Sequence, residues 1–150
     1  MKRYLCDGIV KGATHQRNGL PCQDSKKIVE ISEDIVIIAV ADGHGSEKCP
    51  RSDRGSTIAV NTFCEVMKNY LQSYGSDENG LSNLITFLNR EGDMRFAQDI
   101  CEEWQARVKQ SYYKNKEEGM LDEDGNIKWP AVYSLYGTTL LGMLITNTFV

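Results

Sequence analysis

The sequence lacks an excess of basic residues. Its 150 residues include 17 Lys and Arg against 21 Asp and Glu, which gives a formal net charge of -4 at pH 7. Proteins that hold DNA or RNA by its phosphates need a positive surface to neutralise them. The composition therefore argues against a nucleic-acid partner.

Long apolar runs are also missing. The longest strongly apolar run covers residues 35–41, whereas a helix that crosses a bilayer needs about 20 apolar residues. The basic start at residues 1–3 is not followed by the apolar segment that a signal peptide requires. We therefore expect no membrane partner and a cytoplasmic location.

Paired cysteines are absent as well. No C-x-x-C pair occurs, and two His residues cannot complete a finger-like zinc pattern. We interpret the cysteines as reduced thiols: Cys64 and Cys101 as core residues of helices, and Cys22 and Cys49 as loop residues near the candidate site described below. A nucleophilic cysteine beside His44 is a much weaker alternative, because the spacing specifies no activated thiolate.

The chain has the length and composition of one globular domain, with 41% hydrophobic and 25% charged residues. Residues 4–14 suggest an irregular strand, and residues 15–24 suggest a loop because Asn-Gly and Pro fall within it. Residues 27–31 and 35–41 predict two strands of a hairpin. The second is a continuous apolar, mostly β-branched run, which predicts burial on both faces.

Three helices are predicted between these strands and the end of the chain. An amphipathic pattern covers residues 56–74, and a shorter one covers residues 81–88. The third has apolar residues every four positions, which we interpret as packing residues: Phe96, Ile100, Trp104, Val108 and Tyr112. We expect an α+β fold with antiparallel strands packed against long amphipathic helices.

The last third of the chain holds a charged stretch and an apolar end. Residues 122–126, DEDGN, suggest a calcium loop, but no acid stands at the twelfth position, so we predict a solvated turn. Residues 137–150 predict one long strand or two short ones. Because the sequence stops inside this pattern, we expect residues 1–150 to be the N-terminal portion of one larger domain.

The stretch ADGHGSEKCPRSDRGSTIAV, residues 41–60, has the features of a cation site. Asp42 ends an apolar strand, and Gly43 and Gly45 leave the backbone open to close approach. If the hairpin forms, Asp24 comes alongside, so that two carboxylates and a carbonyl converge. Such oxygen ligands suit Mg²⁺ or Mn²⁺. The alternative is an ordinary Asp-Gly turn with a surface histidine, His44.

Three segments in order resemble the type 2C family of metal-dependent serine/threonine protein phosphatases. VADGHGSEKCPRSDRGSTIAV resembles the strand, D-G-H-G loop and helix of that family. GATHQRNGLPCQDS resembles the opening loop of its bacterial branch, and YGTTLLGMLI resembles its G-T-T strand. The resemblance implies the N-terminal part of an α-β-β-α sandwich.

The resemblance also implies roles for individual residues. Asp42 would bridge two Mg²⁺ or Mn²⁺ ions, the Gly43 carbonyl would bind one of them, and Asp24 would hold metal-bound water. His44 would protonate the leaving seryl or threonyl oxygen, and Arg17 would clamp the phosphate. The implied partners are a phosphoserine or phosphothreonine protein substrate and a cognate protein kinase.

The sequence departs from the family pattern at two positions, which bears on whether the chain is an active phosphatase. Gln23 stands where the family has an acid before Asp24, and Arg17 lies farther from Asp24 than usual, so that His15 is an alternative phosphate ligand. The remaining metal-binding acids of the family follow the G-T-T strand. We therefore expect little or no turnover from these residues alone, and keep a non-catalytic binding or regulatory module as the alternative.

Overall fold

The computed structural model describes residues 5–115 and 120–147. Three strands form one antiparallel sheet in the order β1 (Asp24–Glu30), β2 (Val36–Asp42) and β3 (Leu141–Ile145). The helices are α1 (Ala13–Arg17), α2 (Ser52–Tyr74), α3 (Glu78–Glu91), α4 (Ala97–Asn115) and α5 (Trp129–Leu135), with a π-helical turn at Gly92–Phe96. The predicted α+β class is confirmed.

Strands β1 and β2 form the predicted hairpin. The amide of Ile31 donates to the carbonyl of Ile35 at 2.9 Å, which closes the connection between the strands. The register runs from Glu30 opposite Val36 to Asp24 opposite Asp42. The hairpin thus carries an aspartate at the far end of each strand.

One face of the sheet packs on the helices. Ile37, Ala39 and Ala41 of β2 are buried among residues of α2 and α3. On β3, a side chain at Gly142 would collide with the ring of Phe63, so glycine lets α2 lie close to the sheet. The apolar core therefore lies on the side of the sheet that carries the odd-numbered residues of β2.

The other face of the sheet is open. Val40, Leu141 and Met143 are 44%, 67% and 42% exposed, respectively. The prediction that residues 35–41 are buried on both faces is therefore wrong. An uninterrupted apolar run does not distinguish a covered strand from a strand with one open face.

A second core joins α4 to α5. It consists of the buried side chains of Val108, Tyr112, Val132 and Tyr136. The four-residue repeat of the third predicted helix is thus confirmed as a packing pattern. Helix α5 was not predicted; it begins at Trp129 with Pro130 in its first turn, a position that proline tolerates.

Several predicted boundaries differ from the structure. Residues 5–12 of the predicted strand 4–14 form no strand, and α1 occupies part of the predicted loop 15–24. Helix α2 begins at Ser52 instead of residue 56, and α3 extends beyond residues 81–88 at both ends. The strand predicted at residues 137–150 is β3 at 141–145, and residues 148–150 lie outside the described residues.

Two predictions about single features have different outcomes. Cys64 is buried as predicted, whereas Cys101 is exposed, because it lies on the solvent side of α4. The solvated turn at residues 122–126 is confirmed: Asp122 Oδ1 accepts hydrogen bonds from the amides of Asp124 and Asn126 at 3.0 and 2.7 Å. Among residues 5–115 and 120–147, no helix combines the length and apolar character that crossing a membrane requires.

Candidate functional site

Two carboxylates meet at one end of the hairpin. Asp24 is the first residue of β1 and Asp42 the last of β2, and the register places them directly opposite each other. Their side chains share the open face of the sheet, because strand residues alternate between faces and the neighbours Ser25 and Ala41 face the helices. Both aspartates are exposed. The structure thus brings together the two predicted acids.

The pKa of Asp24 responds to the neighbouring acid. Partial burial raises it above the ordinary value of 3.8, the charge of Asp42 and a hydrogen bond between the two carboxyl groups raise it further, and His15 lowers it. Two carboxylates within hydrogen-bonding reach repel each other unless a proton or a cation lies between them. The pair is therefore arranged to attract positive charge.

Gly43 occupies a position that only glycine fits. A Cβ atom there would lie 2.7 Å from the carbonyl oxygen of Ser52 and 2.8 Å from that of Gln23. The Gly43 amide donates to the same Gln23 carbonyl at 3.1 Å. The backbone after Asp42 therefore packs between Gln23, just before β1, and Ser52 at the start of α2.

His44 follows on the surface. Its amide donates to the carbonyl of Gly137 at 3.1 Å, and its side chain is exposed. Gly45 adopts a φ of +62°, which favours glycine, and its amide donates to Ser52 Oγ at 3.3 Å. The imidazole therefore stands on a loop that is held by its backbone.

Both candidates for phosphate binding, His15 and Arg17, belong to α1. Arg17 Nε donates to the carbonyl of Ala13 at 3.4 Å, within the same helix. His15 is half-buried and near enough to lower the pKa of Asp24. Of the two, His15 is the one whose charge acts on Asp24.

The side chain of Gln23 lies against the D-G-H-G loop. Its side-chain oxygen lies against Gly45, in the D-G-H-G loop, while Asp24 beside it points to the open face. Cys49 lies close to His44, since its sulfur and the His44 ring both border Gly137. Cys22 and Cys49 are half-buried free thiols.

Several hydroxyl groups support this end of the hairpin, and residue patterns alone did not single them out. Ser25 Oγ shares hydrogen bonds of 2.9 Å with Ser56 Oγ and with Thr57 Oγ1, which joins β1 to the first turns of α2. Thr138 and Thr139 bind the backbone of Asp42 from the β3 side. The G-T-T motif was the available signal for the second set.

The pair borders a cleft of about 830 Å³ between residues 5–10 and the open face of the sheet. Its walls include Ile28, Ile38 and Val40 as well as both aspartates. Within the described ranges, no group of three or more His, Cys, Asp or Glu side chains is arranged to hold a metal ion. The site therefore offers a cation two carboxylates and backbone oxygens.

Comparison with protein families gives a match over most of the chain. A family model described as protein phosphatase 2C matches residues 11–150, a span that includes the hairpin, the D-G-H-G loop and β3. Comparison with curated proteins returned no match, and comparison with solved structures returned none. On the strength of this nearly full-length match, the chain belongs to the protein phosphatase 2C family.

Proposed function

We propose that this chain contributes the Asp24–Asp42 site of a metal-dependent protein serine/threonine phosphatase. The observation that carries the proposal is the pairing of the two aspartates, in register and on one face, in a chain of the protein phosphatase 2C family. The raised pKa of Asp24 supports a site that is built to take up positive charge.

The donors fit Mg²⁺ or Mn²⁺, two ions in the complete family site. These cations bind through one or two carboxylates and keep several waters, so a third acidic side chain is not required for one ion. Asp42 and Asp24 would supply the carboxylates, and the Gly43 carbonyl a neutral oxygen. Bound divalent cations lower the pKa of water and stabilise charge on a phosphoryl group. With two acids, we expect weak binding.

The remaining groups would handle the phosphoester itself. His44, exposed on its loop, would deliver a proton to the seryl or threonyl oxygen as that oxygen leaves phosphorus. The side-chain N–H groups of His15 or Arg17 would hold the phosphate oxygens. Because His15 is the one that lowers the pKa of Asp24, we favour it over Arg17 as the phosphate ligand.

The proposal extends to the surroundings of the site. The open sheet face, with its exposed Val40 and Leu141, is suited to pack against a second sheet in an α-β-β-α sandwich. We place the protein in the cytoplasm, with phosphoserine or phosphothreonine proteins as substrates and a cognate protein kinase as the partner that supplies them.

The test is Mn²⁺ binding by isothermal titration calorimetry, together with hydrolysis of p-nitrophenyl phosphate with and without Mn²⁺. Asp42→Asn should abolish both the binding and any metal-dependent turnover. Asp124→Asn, the same change in an exposed turn, is the matched control and should alter neither. Equal Mn²⁺ affinity in Asp42→Asn and the unsubstituted chain would refute the metal site.

A second candidate is a non-catalytic phosphatase-like binding or regulatory module. Gln23 favours it, because its neutral amide lies against Gly45 and adds no charge to the aspartate pair. Such a module should keep its partner after Asp42→Asn, whereas a phosphatase should lose its rate and its metal dependence.

A further inference from the structure

The G-T-T segment lies beside the D-G-H loop residue by residue. Gly43 and Thr138 form an isolated antiparallel bridge. On either side of it, the Thr139 amide donates to the Asp42 carbonyl at 2.9 Å, and the His44 amide donates to the Gly137 carbonyl at 3.1 Å. The segment therefore extends the sheet beyond β3, along the loop that carries the candidate site.

Threonine hydroxyls add bonds that backbone pairing alone does not need. Thr138 Oγ1 donates to the Asp42 carbonyl at 2.9 Å, and can also donate to the Thr139 carbonyl at 2.9 Å. Thr139 Oγ1 lies 3.3 Å from the Asp42 carbonyl and accepts from the Asp42 amide at 3.4 Å. Since a carbonyl oxygen has two lone pairs, the Thr139 amide and the Thr138 hydroxyl saturate it.

These bonds fix the peptide plane between Asp42 and Gly43 at both ends. Its carbonyl is held by Thr138 and Thr139, and its amide by the Gln23 carbonyl at 3.1 Å. The next plane, which contains the Gly43 carbonyl, is held through the His44 amide. A glycine backbone is otherwise the most mobile of all residues, so external bonds must set its direction.

We infer that Thr138 is a positioning residue for the candidate metal site. Its hydroxyl holds the Asp42–Gly43 peptide, which is the backbone link between the Asp42 carboxylate and the Gly43 carbonyl. The β-branched side chain of threonine has a restricted χ1, which keeps the hydroxyl on its acceptor. This inference rests on the proposed function, because a positioning role for Thr138 requires that the Asp42 carboxylate and the Gly43 carbonyl bind a cation.

The experiment compares Mn²⁺ affinity in Thr138→Val and Thr138→Ser, by calorimetry at a temperature where circular dichroism shows both variants folded. Valine keeps the shape and removes the hydroxyl, whereas serine keeps the hydroxyl. We expect Thr138→Val to weaken Mn²⁺ binding about tenfold, because loss of a group that orients a metal ligand commonly has an effect of this size. Thr138→Ser should keep most of the affinity. Thr86→Val is the matched control, since its hydroxyl donates to the Ser82 carbonyl at 2.9 Å in α3.

Hydrogen exchange of the Gly43 amide gives a second measurement that needs no metal. Exchange should quicken in Thr138→Val and stay unchanged in Thr138→Ser and Thr86→Val. Unchanged Mn²⁺ affinity in Thr138→Val, beside lost binding in Asp42→Asn, would overturn the positioning role alone. Absence of Mn²⁺ binding by the unsubstituted chain would overturn the proposed function and the positioning role with it, whatever the exchange rates show.

Discussion

Replacing Asp42 by Asn should stabilise the metal-free fold at neutral pH. Asp24 and Asp42 are directly opposite in the hairpin, a position in which Cβ atoms lie about 5 Å apart. Two unit charges at that separation repel by about 0.8 kcal/mol in water, and by roughly half as much at physiological salt. Because both aspartates are exposed, the water value is the appropriate one.

The stabilisation should depend on pH. Burial, the charge of Asp42 and the shared hydrogen bond raise the pKa of Asp24 above 3.8 in the folded protein, so the folded state holds that proton more tightly than the unfolded state does. The stability that this group contributes is fully present below pH 3.8 and is lost as the pH rises through the raised pKa. Asp42→Asn removes the part of that loss that Asp42 causes, so its advantage should be present at pH 7 and vanish near pH 3.

Thermal unfolding in EDTA and low salt measures the effect. A gain of about 0.8 kcal/mol corresponds to a rise in Tm of roughly 2–3 °C for a domain of this size. Asp24→Asn should gain less, because it also loses the attraction of His15. The double variant should gain less than the sum of the two, since the repulsion can be removed only once.

Asp124→Asn changes the net charge equally and should leave the Tm unchanged. Saturating Mn²⁺ should reverse the order of stability, because only the unsubstituted pair binds the ion. An Asp42→Asn variant no more stable than the original at pH 7, or one whose gain persists at pH 3, would refute the repulsion.

Three further outcomes follow from the packing. Gly43→Ala should lower the free energy of unfolding in urea by about 1–3 kcal/mol, as overpacking does. Gly12→Ala is the control and should cost little, because a Cβ atom there meets no atom within 4 Å. Equal costs would contradict the close approach at Gly43. Burial and Asp99 raise the pKa of Tyr70 to about 12, so Asp99→Asn should lower this pKa. Alkaline titration, with the spectrum of Tyr70→Phe subtracted, measures it. An unchanged pKa would exclude the contact between Tyr70 and Asp99. Val108→Ala should cost about 2–4 kcal/mol because the side chain is fully buried, and a smaller loss would indicate a looser core.

Patterns within short segments predicted much of the fold. The hairpin and the three long helices followed from residues that are close in sequence, and the pairing of Asp24 with Asp42 followed from the hairpin. Helix α5 was missed because its seven residues are too few to establish a period. The open face of β2 was missed because the sequence of a strand does not show which other elements will cover it.

The support for the site could not be predicted in the same way. The bonds of Thr138 and Thr139 to Asp42 join residues 96 and 97 positions apart. The G-T-T motif marked the segment through its resemblance, but no local pattern states which backbone atom a hydroxyl reaches. Likewise, the direction of Gln23 toward Gly45 depends on how the loop folds over β1.

The distance along the chain between Asp42 and Thr139 sets an order of events during synthesis. Thr139 lies 97 positions after Asp42, and a ribosome that adds about 5–20 residues per second needs roughly 5–20 s to reach it. A hairpin forms within about 10 μs. Both aspartates are therefore present on the nascent chain, and β1 and β2 have time to pair, long before the G-T-T segment exists. Until β3 is synthesised, the edge of β2 that pairs with it in the folded protein has no partner strand and must not pair with another chain.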